Sequence, residues 1–284
     1  MKEIISASRR TDMPSCYLDK LIMGIRRGFA EVANPYSGKI SVVDLRPEKV
    51  HTLVLWSKNF RRFLEKDRIF GEYKLYFLFT INDMPSLEPG VPPLRERLDQ
   101  LGELARRYGP ERVAWRFDPV VFTGSGPLSK LETFERIGET AANLGVNRVI
   151  FSFLDLYGKV VKRIARFDLG IVDPPPGEKA AYAAGMADIA RPMGLGLESC
   201  CEDTFGIDGI VGGSCINAPL LSRLAGEEAS NRKDAGQRDN CACTVSRDIG
   251  SYADMPCYNG CLYCYANPVL RHRFVAAGCP AGEC

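Results

Sequence analysis

Apolar positions along this chain follow two alternating rhythms. Short runs rich in β-branched and aromatic residues are apolar on both faces, as in Leu75-Tyr76-Phe77-Leu78-Phe79. Such runs suit strands covered on both sides within a parallel sheet. They predict strands over Glu3–Ser8, His51–Trp56, Lys74–Ile81, Arg112–Phe117, Arg148–Leu154 and Gly194–Ser199. Between them, apolar residues recur every three to four positions. Leu94, Leu98, Leu101, Leu104, Ala105 and Tyr108 form one helical stripe, stopped by Gly109-Pro110. Leu131, Phe134, Ile137, Ala141 and Leu144 form another; it opens with the capping-box spacing Ser129-Lys130-Leu131-Glu132 and closes at Gly145. Helices are also expected around Tyr17–Arg27, Phe60–Arg68, Glu178–Ala190 and Pro219–Leu224. Glu31–Asn34 and Lys39–Asp44 predict a hairpin that interrupts the alternation.

Strand–helix alternation implies parallel strands joined by right-handed crossovers. No Gly-x-Gly-x-x-Gly follows the first strand, which weakens a dinucleotide-binding reading. The expected class is α/β: a TIM-type (β/α) barrel, complete or partial, over residues 1–199, with a Cys-rich segment, 200–284, packed on the barrel mouth. A barrel places its functional residues at the C-terminal ends of the strands. Ser8-Arg9-Arg10-Thr11-Asp12, Trp56-Ser57-Lys58-Asn59, Thr80-Ile81-Asn82-Asp83, Arg116-Phe117-Asp118-Pro119, Ser152-Phe153-Leu154-Asp155 and Glu198 all fall there. Chains leaving a core turn polar in any case. Arg116 and Asp118, interleaved with Trp115 and Phe117, are harder to explain that way, because buried charges pair or bind something.

Composition changes little. The chain has 284 residues, 45% of them hydrophobic, and a formal charge of +2. That balance offers no broad basic face, so nucleic acid is not an expected partner. No apolar run reaches the ~20 residues of a membrane helix, and Met1-Lys2-Glu3-Ile4-Ile5 lacks a secretory signal's apolar stretch. The expectation is a cytoplasmic protein with no membrane partner.

The cysteines depart from the ordinary. There are 11, and all but Cys16 lie at or after Cys200. In a reducing compartment, clustered thiols point to metal rather than disulfides, and with only two histidines, His51 and His272, that metal is held by sulfur. The sharpest motif is Cys257-Tyr258-Asn259-Gly260-Cys261-Leu262-Tyr263-Cys264. Three thiolates on one short loop can each take a different iron of a [4Fe–4S] cube and leave the fourth iron open. Gly260 would supply the positive φ that wraps the loop, and Tyr263 could pack against an adenine. The competing reading is zinc on the same thiolates with Cys243 or His272. Upstream, Cys200-Cys201, Cys215 and Cys241-Ala242-Cys243 form a second group. Cys201, Cys215, Cys241 and Cys243 are the choice for a fully ligated second cluster; the alternative is that some are small buried hydrophobes. Cys16 reads as core or cap, and Cys279 and Cys284 as spectators in a Gly/Pro-containing tail.

The spacing C-x3-C-x2-C with an aromatic before the last cysteine resembles the radical SAM signature. That resemblance implies a cluster that binds S-adenosylmethionine and cleaves it by one-electron reduction. Its position near the C-terminus is unusual for that superfamily. The stretches Ser6–Asp12, Leu55–Asn59, Trp115–Pro119, Phe151–Asp155, Lys233–Arg238, Ser246–Gly250 and Cys261–Asn267 resemble the domain-of-unknown-function 1848 family, whose C-terminal cysteines look like a radical SAM cluster. A circularly permuted barrel reconciles the two. Thr244–Ile249 would be the strand before the cluster loop, Asn267–Ala277 the helix after it, and the N-terminal strand the next neighbour in space. No Gly-Gly-Glu segment is present to receive the methionyl amino group; Gly212-Gly213-Ser214 is the nearest.

The leading expectation is a radical SAM-type enzyme with two [4Fe–4S] clusters, S-adenosylmethionine and an electron donor such as a ferredoxin or flavodoxin. Arg9, Arg10, Lys58 and Arg116 are candidates to clamp an anionic substrate group, with Asp12, Asp118 and Asp155 orienting it or moving protons. The structural alternative makes Arg116–Asp118 and Arg10–Asp12 ion pairs that close the mouth. At the level of function, the alternatives are a non-enzymatic iron–sulfur electron carrier or redox sensor, and a zinc-stabilised binding module.

Overall fold

The apolar runs pair side by side. In the computed structural model, which describes residues 2–35 and 37–270, eight strands form one sheet. Its order is Ile210–Gly212, Gly196–Ser199, Arg148–Phe153, Val113–Val120, Leu75–Thr80, Val50–Ser57, Glu3–Ala7 and Arg247–Asp248. Every pairing is parallel. Seven strands therefore follow one another in chain order, and the last, Arg247–Asp248, returns beside the first, with Ile5 opposite Arg247 and Ser6 opposite Asp248.

The sheet is open. Its edge strands, Ile210–Gly212 and Arg247–Asp248, do not pair with each other, so the complete-barrel alternative does not form among the described residues. These edges are too short to extend a ladder, and the chain between them covers one face of the sheet instead. Ile216, Ala218, Leu221, Ala229, Cys241 and Cys243 pack there on Ile4, Val54, Trp56, Tyr76, Leu78, Ala114 and Ile150. The segment beyond residue 199 thus supplies both edge strands of the sheet that residues 1–199 begin.

Alternate residues on the same strands face the helices. Phe77, Phe79, Trp115, Phe117, Val149 and Phe151 belong to the larger core, with Leu101 and Leu104 of helix Leu94–Tyr108 and Phe134 and Ile137 of helix Leu131–Asn143. Phe60 meets Phe63, Phe77 and Phe79 edge-to-face at 5.0–6.0 Å, contacts worth about 1 kcal/mol each beyond their burial. The helices expected at Tyr17–Arg27, Glu178–Ala190 and Pro219–Leu224 form over Leu18–Arg27, Pro176–Ala190 and Ala218–Ala225, and Phe29–Ala33 pairs antiparallel with Ile40–Asp44 as the expected hairpin.

Some expectations change in detail. Ser129 caps nothing: its hydroxyl accepts from the Val121 N–H at 3.0 Å, and Lys130 stands at the N-cap without a side-chain bond. The expected Thr244–Ile249 strand shortens to Arg247–Asp248. Residues 267–270 are not helical; the remainder of the expected Asn267–Ala277 helix, with His272, Cys279 and Cys284, lies outside the described residues. Helix Gly158–Arg166 and strand Ile210–Gly212 were not among the expected elements; the helix carries an amphipathic pattern in Val160, Val161 and Ile164, whereas three residues of strand hold no period.

Candidate functional site

Both cysteine groups sit at the C-terminal ends of the strands. Cys200 and Cys201 follow strand Gly196–Ser199, Cys215 follows Ile210–Gly212, and the Cys257 loop follows Arg247–Asp248. The upstream group is drawn into a circuit of five sulfurs. Cys200 lies 3.6 Å from Cys215 and 4.0 Å from Cys201. Cys241 lies against both Cys201 and Cys243, and Cys215 against Cys243. Hydrogen bonds from Cys200 and Cys241 hold the Cys201 thiol down at about 3, with Arg238 adding to the effect. Cys243 is likewise held well below the ordinary thiol range by Cys215 and Cys241, with Arg9 nearby. The two thiols whose pKa is lowered, Cys201 and Cys243, each have an arginine nearby, Arg238 and Arg9. Cys200, left out of the four expected ligands, belongs to the circuit fully.

The turn carrying Cys215 is anchored from below. Arg148 makes two 2.7 Å bonds to Glu198 and a 2.5 Å bond to the Ser214 carbonyl. The Ile216 N–H donates to the Cys243 sulfur at 3.5 Å, and Thr244 N–H returns to the Ile216 carbonyl. These bonds tie two distant stretches into one sulfur-lined floor.

The Cys257 loop is held quite differently, at the rim. Gly260 has φ of +66°, as the sequence predicts. The Leu262 N–H donates to the Leu87 carbonyl and the Gly90 N–H to the Asn259 carbonyl, so the loop is laced to residues 87–90. A Cβ at Gly90 would stand 2.7 Å from the carbonyl oxygens of Tyr258 and Asn259. Arg163 of helix Gly158–Arg166 donates to the carbonyls of Cys261 and Cys264. Tyr263 is buried and donates to Glu88, which also takes Lys58 Nζ at 2.7 Å and lies 3.9 Å from Arg97. Burial opposes the charge on Glu88, but Lys58 and Arg97 outweigh it and hold the carboxyl below its ordinary range. Burial pushes the Cys261 thiol up, and Cys264 up to about 11. Cys257 goes the other way, because the Cys16 thiol donates to it. Cys16, expected as core or cap, is thus a neighbour of the cluster loop.

Aspartates join these parts. Asp12, buried, accepts from Ser57 Oγ (2.6 Å), Asn259 Nδ2 (2.7 Å), Lys58 N (2.9 Å) and Ser15 N (3.0 Å). Four donors fill its oxygens, and it binds the cluster loop to the first two strands; burial still raises its pKa. Asp248 does the same at the junction of the first and last strands, accepting from Ser6, Ser8, the Arg9 N–H and the Gly250 N–H.

The other candidates divide. Arg10 reaches the Gly250 carbonyl at 3.1 Å and Asp248 at 4.0 Å, not Asp12. Lys58 is committed to Glu88. Asp155 pairs with Arg238 at the half-exposed rim. Arg116 and Asp118 pair, Ser152 donates to Asp118, and the site lies beside Tyr265, one residue past Cys264. Arg9 and Arg116 both lie over the Trp56 ring, at 5.2 and 5.1 Å from its centroid. Glu88, Arg97, Arg163, Arg238 and Asp248 were not singled out from the sequence. A lone acid in Leu87-Glu88-Pro89 was the best available signal for the first of them.

Among the described residues, no group of three or more His, Cys, Asp or Glu side chains could hold a metal ion as it stands. The donors are almost all sulfur, the set a thiolate-bound metal needs. A single zinc holds every sulfur about 2.3 Å from one point and a cube, with each thiolate on its own iron, requires wider spacing; the 3.6 and 4.0 Å separations in the upstream group are the narrower kind. Cys257, Cys261 and Cys264 share one loop, in which the Cys264 N–H donates to the Cys261 carbonyl at 3.2 Å, while the upstream thiols, Arg9 and Arg238 concentrate sulfur and positive charge.

The fold and site therefore define an α/β protein with a parallel eight-stranded sheet that gathers two cysteine groups at the C-terminal ends of its strands. The chain belongs to the domain-of-unknown-function family DUF1848, whose model matches residues 4–266. No curated protein matches it. Among solved structures, morphinone reductase is similar over 91% of this chain and 67% of its own, at 14% identity and a TM-score of 0.34, too loose a likeness to bear on chemistry. No described helix is long and apolar enough to cross a membrane.

Proposed function

We propose that the protein is a radical SAM-type iron–sulfur enzyme with an open-iron [4Fe–4S] cluster on Cys257, Cys261 and Cys264 and a second cluster on the upstream thiols. The observation that carries this reading is the parallel pairing of Arg247–Asp248 with Glu3–Ala7. It makes the Cys257 loop the connection leaving the strand that precedes the N-terminal strand in space. In a permuted order, this is where a loop following the first barrel strand would lie. When bound, such a cluster supplies one-electron cleavage of S-adenosylmethionine.

The chain's own residues prepare the site. The Lys58–Glu88–Tyr263 chain and Arg163 fix the loop backbone, so that three thiolates meet an incoming cluster with little further ordering. Asp12 ties that backbone to the strand ends, and Arg116, Asp118 and Ser152 form the polar wall nearest Tyr265. All four proposed anion clamps have internal partners: Arg10 has Gly250 and Asp248, Lys58 has Glu88, Arg9 has Ser246, and Arg116 has Asp118 and Thr80. A reduced ferredoxin or flavodoxin would supply the electron.

The test is chemical. Anaerobically reconstituted protein, reduced with dithionite and given S-adenosylmethionine, should release 5′-deoxyadenosine and methionine, and Cys264→Ser should release neither. Iron-loaded protein that leaves S-adenosylmethionine intact would contradict the proposal. One observation favours a second reading, an electron carrier or redox sensor: Cys16 lies against Cys257 and could close the fourth iron. In that case Cys16→Ala, not the wild type, would respond to S-adenosylmethionine.

A further inference from the structure

Helix Gly158–Arg166 lies against the Cys257 loop and carries Lys159, Lys162, Arg163 and Arg166 with no acid among its 9 residues. Its inner side is accounted for. Val160 is buried, Ile164 packs with Cys261, Leu262 and Tyr263, and Arg163 donates to the Cys261 and Cys264 carbonyls. Its outer side is not. Lys159, Lys162 and Arg166 are exposed; Lys159 lies over the Tyr252 ring and Arg166 over Phe167, but none of the three has a carboxylate partner among the described residues. On other helices, Arg61 pairs with Glu96, Arg62 and Lys66 with Asp19, and Arg106 and Arg107 with Glu103. Helix stability does not explain the pattern. Arg166 suits the negative C-terminal end, but Lys159 stands in the first turn with no acid to offset it, and Lys162 and Arg166, one turn apart, repel. Beside this stripe runs an exposed apolar row at four-residue spacing, Tyr157 (42%), Val161 (46%) and Ala165. Tyr265, one residue past Cys264 and 43% exposed, meets Tyr157 with ring centroids 6.1 Å apart.

We propose that the outer face of helix Gly158–Arg166, with Tyr157 and Tyr265, is the docking surface for an acidic one-electron carrier protein. It deepens the radical-enzyme reading by placing the electron donor, and rests on that reading for the carrier's purpose but not for the contact. Cations beside an aromatic centre complement an acidic protein surface in charge and in interface make-up. About 13 Å of helix reaches only a few phosphates of a nucleic acid, and the chain's charge of +2 supplies no wider basic field. That length does suit the small, short-lived contacts through which redox proteins exchange electrons. The surface also leads inward, because Arg163 and Ile164 of the same helix touch the loop that bears Cys261 and Cys264.

The experiment titrates the full chain, with no iron loaded, against a fluorescently labelled acidic flavodoxin at low and high salt. Binding should weaken steeply as salt rises. Lys159→Glu, Lys162→Glu and Arg166→Glu should each weaken it about fivefold with an unchanged thermal midpoint. Arg26→Glu should change nothing, since it lies at the end of helix Leu18–Arg27 opposite to Tyr17, which bonds the Pro256 carbonyl. No binding, equal binding by all variants, or an equal loss in Arg26→Glu would overturn the docking surface. So would tighter binding of a single-stranded oligonucleotide or of phosphatidylglycerol vesicles through the same three residues. After anaerobic reconstitution, the three variants should cleave S-adenosylmethionine at the wild-type rate with dithionite and more slowly with reduced flavodoxin. Wild-type protein that binds flavodoxin through these residues but cleaves nothing with dithionite would overturn the radical-enzyme reading and leave the docking surface standing, so the two failures are distinct.

Discussion

The two cysteine groups share one end of the sheet but are built on opposite principles. The upstream thiols come from three chain stretches and lie within an apolar cluster, beside Ile216, Trp56 and Tyr76. Their sulfurs meet one another, and those contacts lower the pKa of two, Cys201 and Cys243. The Cys257, Cys261 and Cys264 thiols come from one loop at the rim, and backbone bonds, Arg163 and the Lys58–Glu88–Tyr263 chain hold them. Burial does not separate them, for each group has one half-buried thiol, Cys201 or Cys264, and the rest buried. What differs is that the upstream sulfurs are held by one another, whereas the Cys257 loop is held by its backbone and the residues laced to it.

The comparison breaks most sharply by removing sulfur. Cys261→Ala should abolish the SAM-responsive signal and leave the other, while Cys243→Ala should do the reverse; parallel loss of both signals in either variant would show that the groups are not separate centres. Glu88→Gln comes next. Removing one partner of a buried ion pair costs about 3 kcal/mol, which thermal denaturation should show as a clear drop in midpoint. Because the folded-state pKa of Glu88 lies below its ordinary 4.5, its stabilisation is complete above that pH and is lost as pH falls through the folded value. Glu88→Gln should therefore flatten the acid limb of the stability profile. Gly90→Ala should cost about 2 kcal/mol by pressing a methyl on the loop carbonyls, with faster iron release from the first group only. Arg163→Ala should be mildest, about 1 kcal/mol for its bonds to the half-buried loop, with faster iron loss again confined to that group.

Much of the scaffold was legible because buried parallel strands are apolar on both faces and their helices keep a 3.6-residue stripe. Six strands and the three long helices lie within a few residues of their predicted bounds. Ile210–Gly212 escaped because three residues hold no period, and the sheet's openness because closure depends on edges far apart in sequence. The cysteine groups were visible from composition and spacing, and the return of the last strand beside the first from the loop's odd position. The loop's supports were not visible. Glu88, Arg163 and Cys16 act through contacts spanning tens to hundreds of residues, and nothing local to them encodes a partner. The same holds for Ser129, whose capping-box spacing is real but whose hydroxyl the Val121 N–H takes first.

The central claim is that one sulfur group is open to a ligand and the other closed. The most direct measurement is the EPR spectrum of anaerobically reduced wild-type protein, recorded with and without S-adenosylmethionine. Two cluster signals are predicted, one reshaped by S-adenosylmethionine and one indifferent to it. Two signals that both ignore S-adenosylmethionine, or a colourless protein carrying zinc, would contradict it.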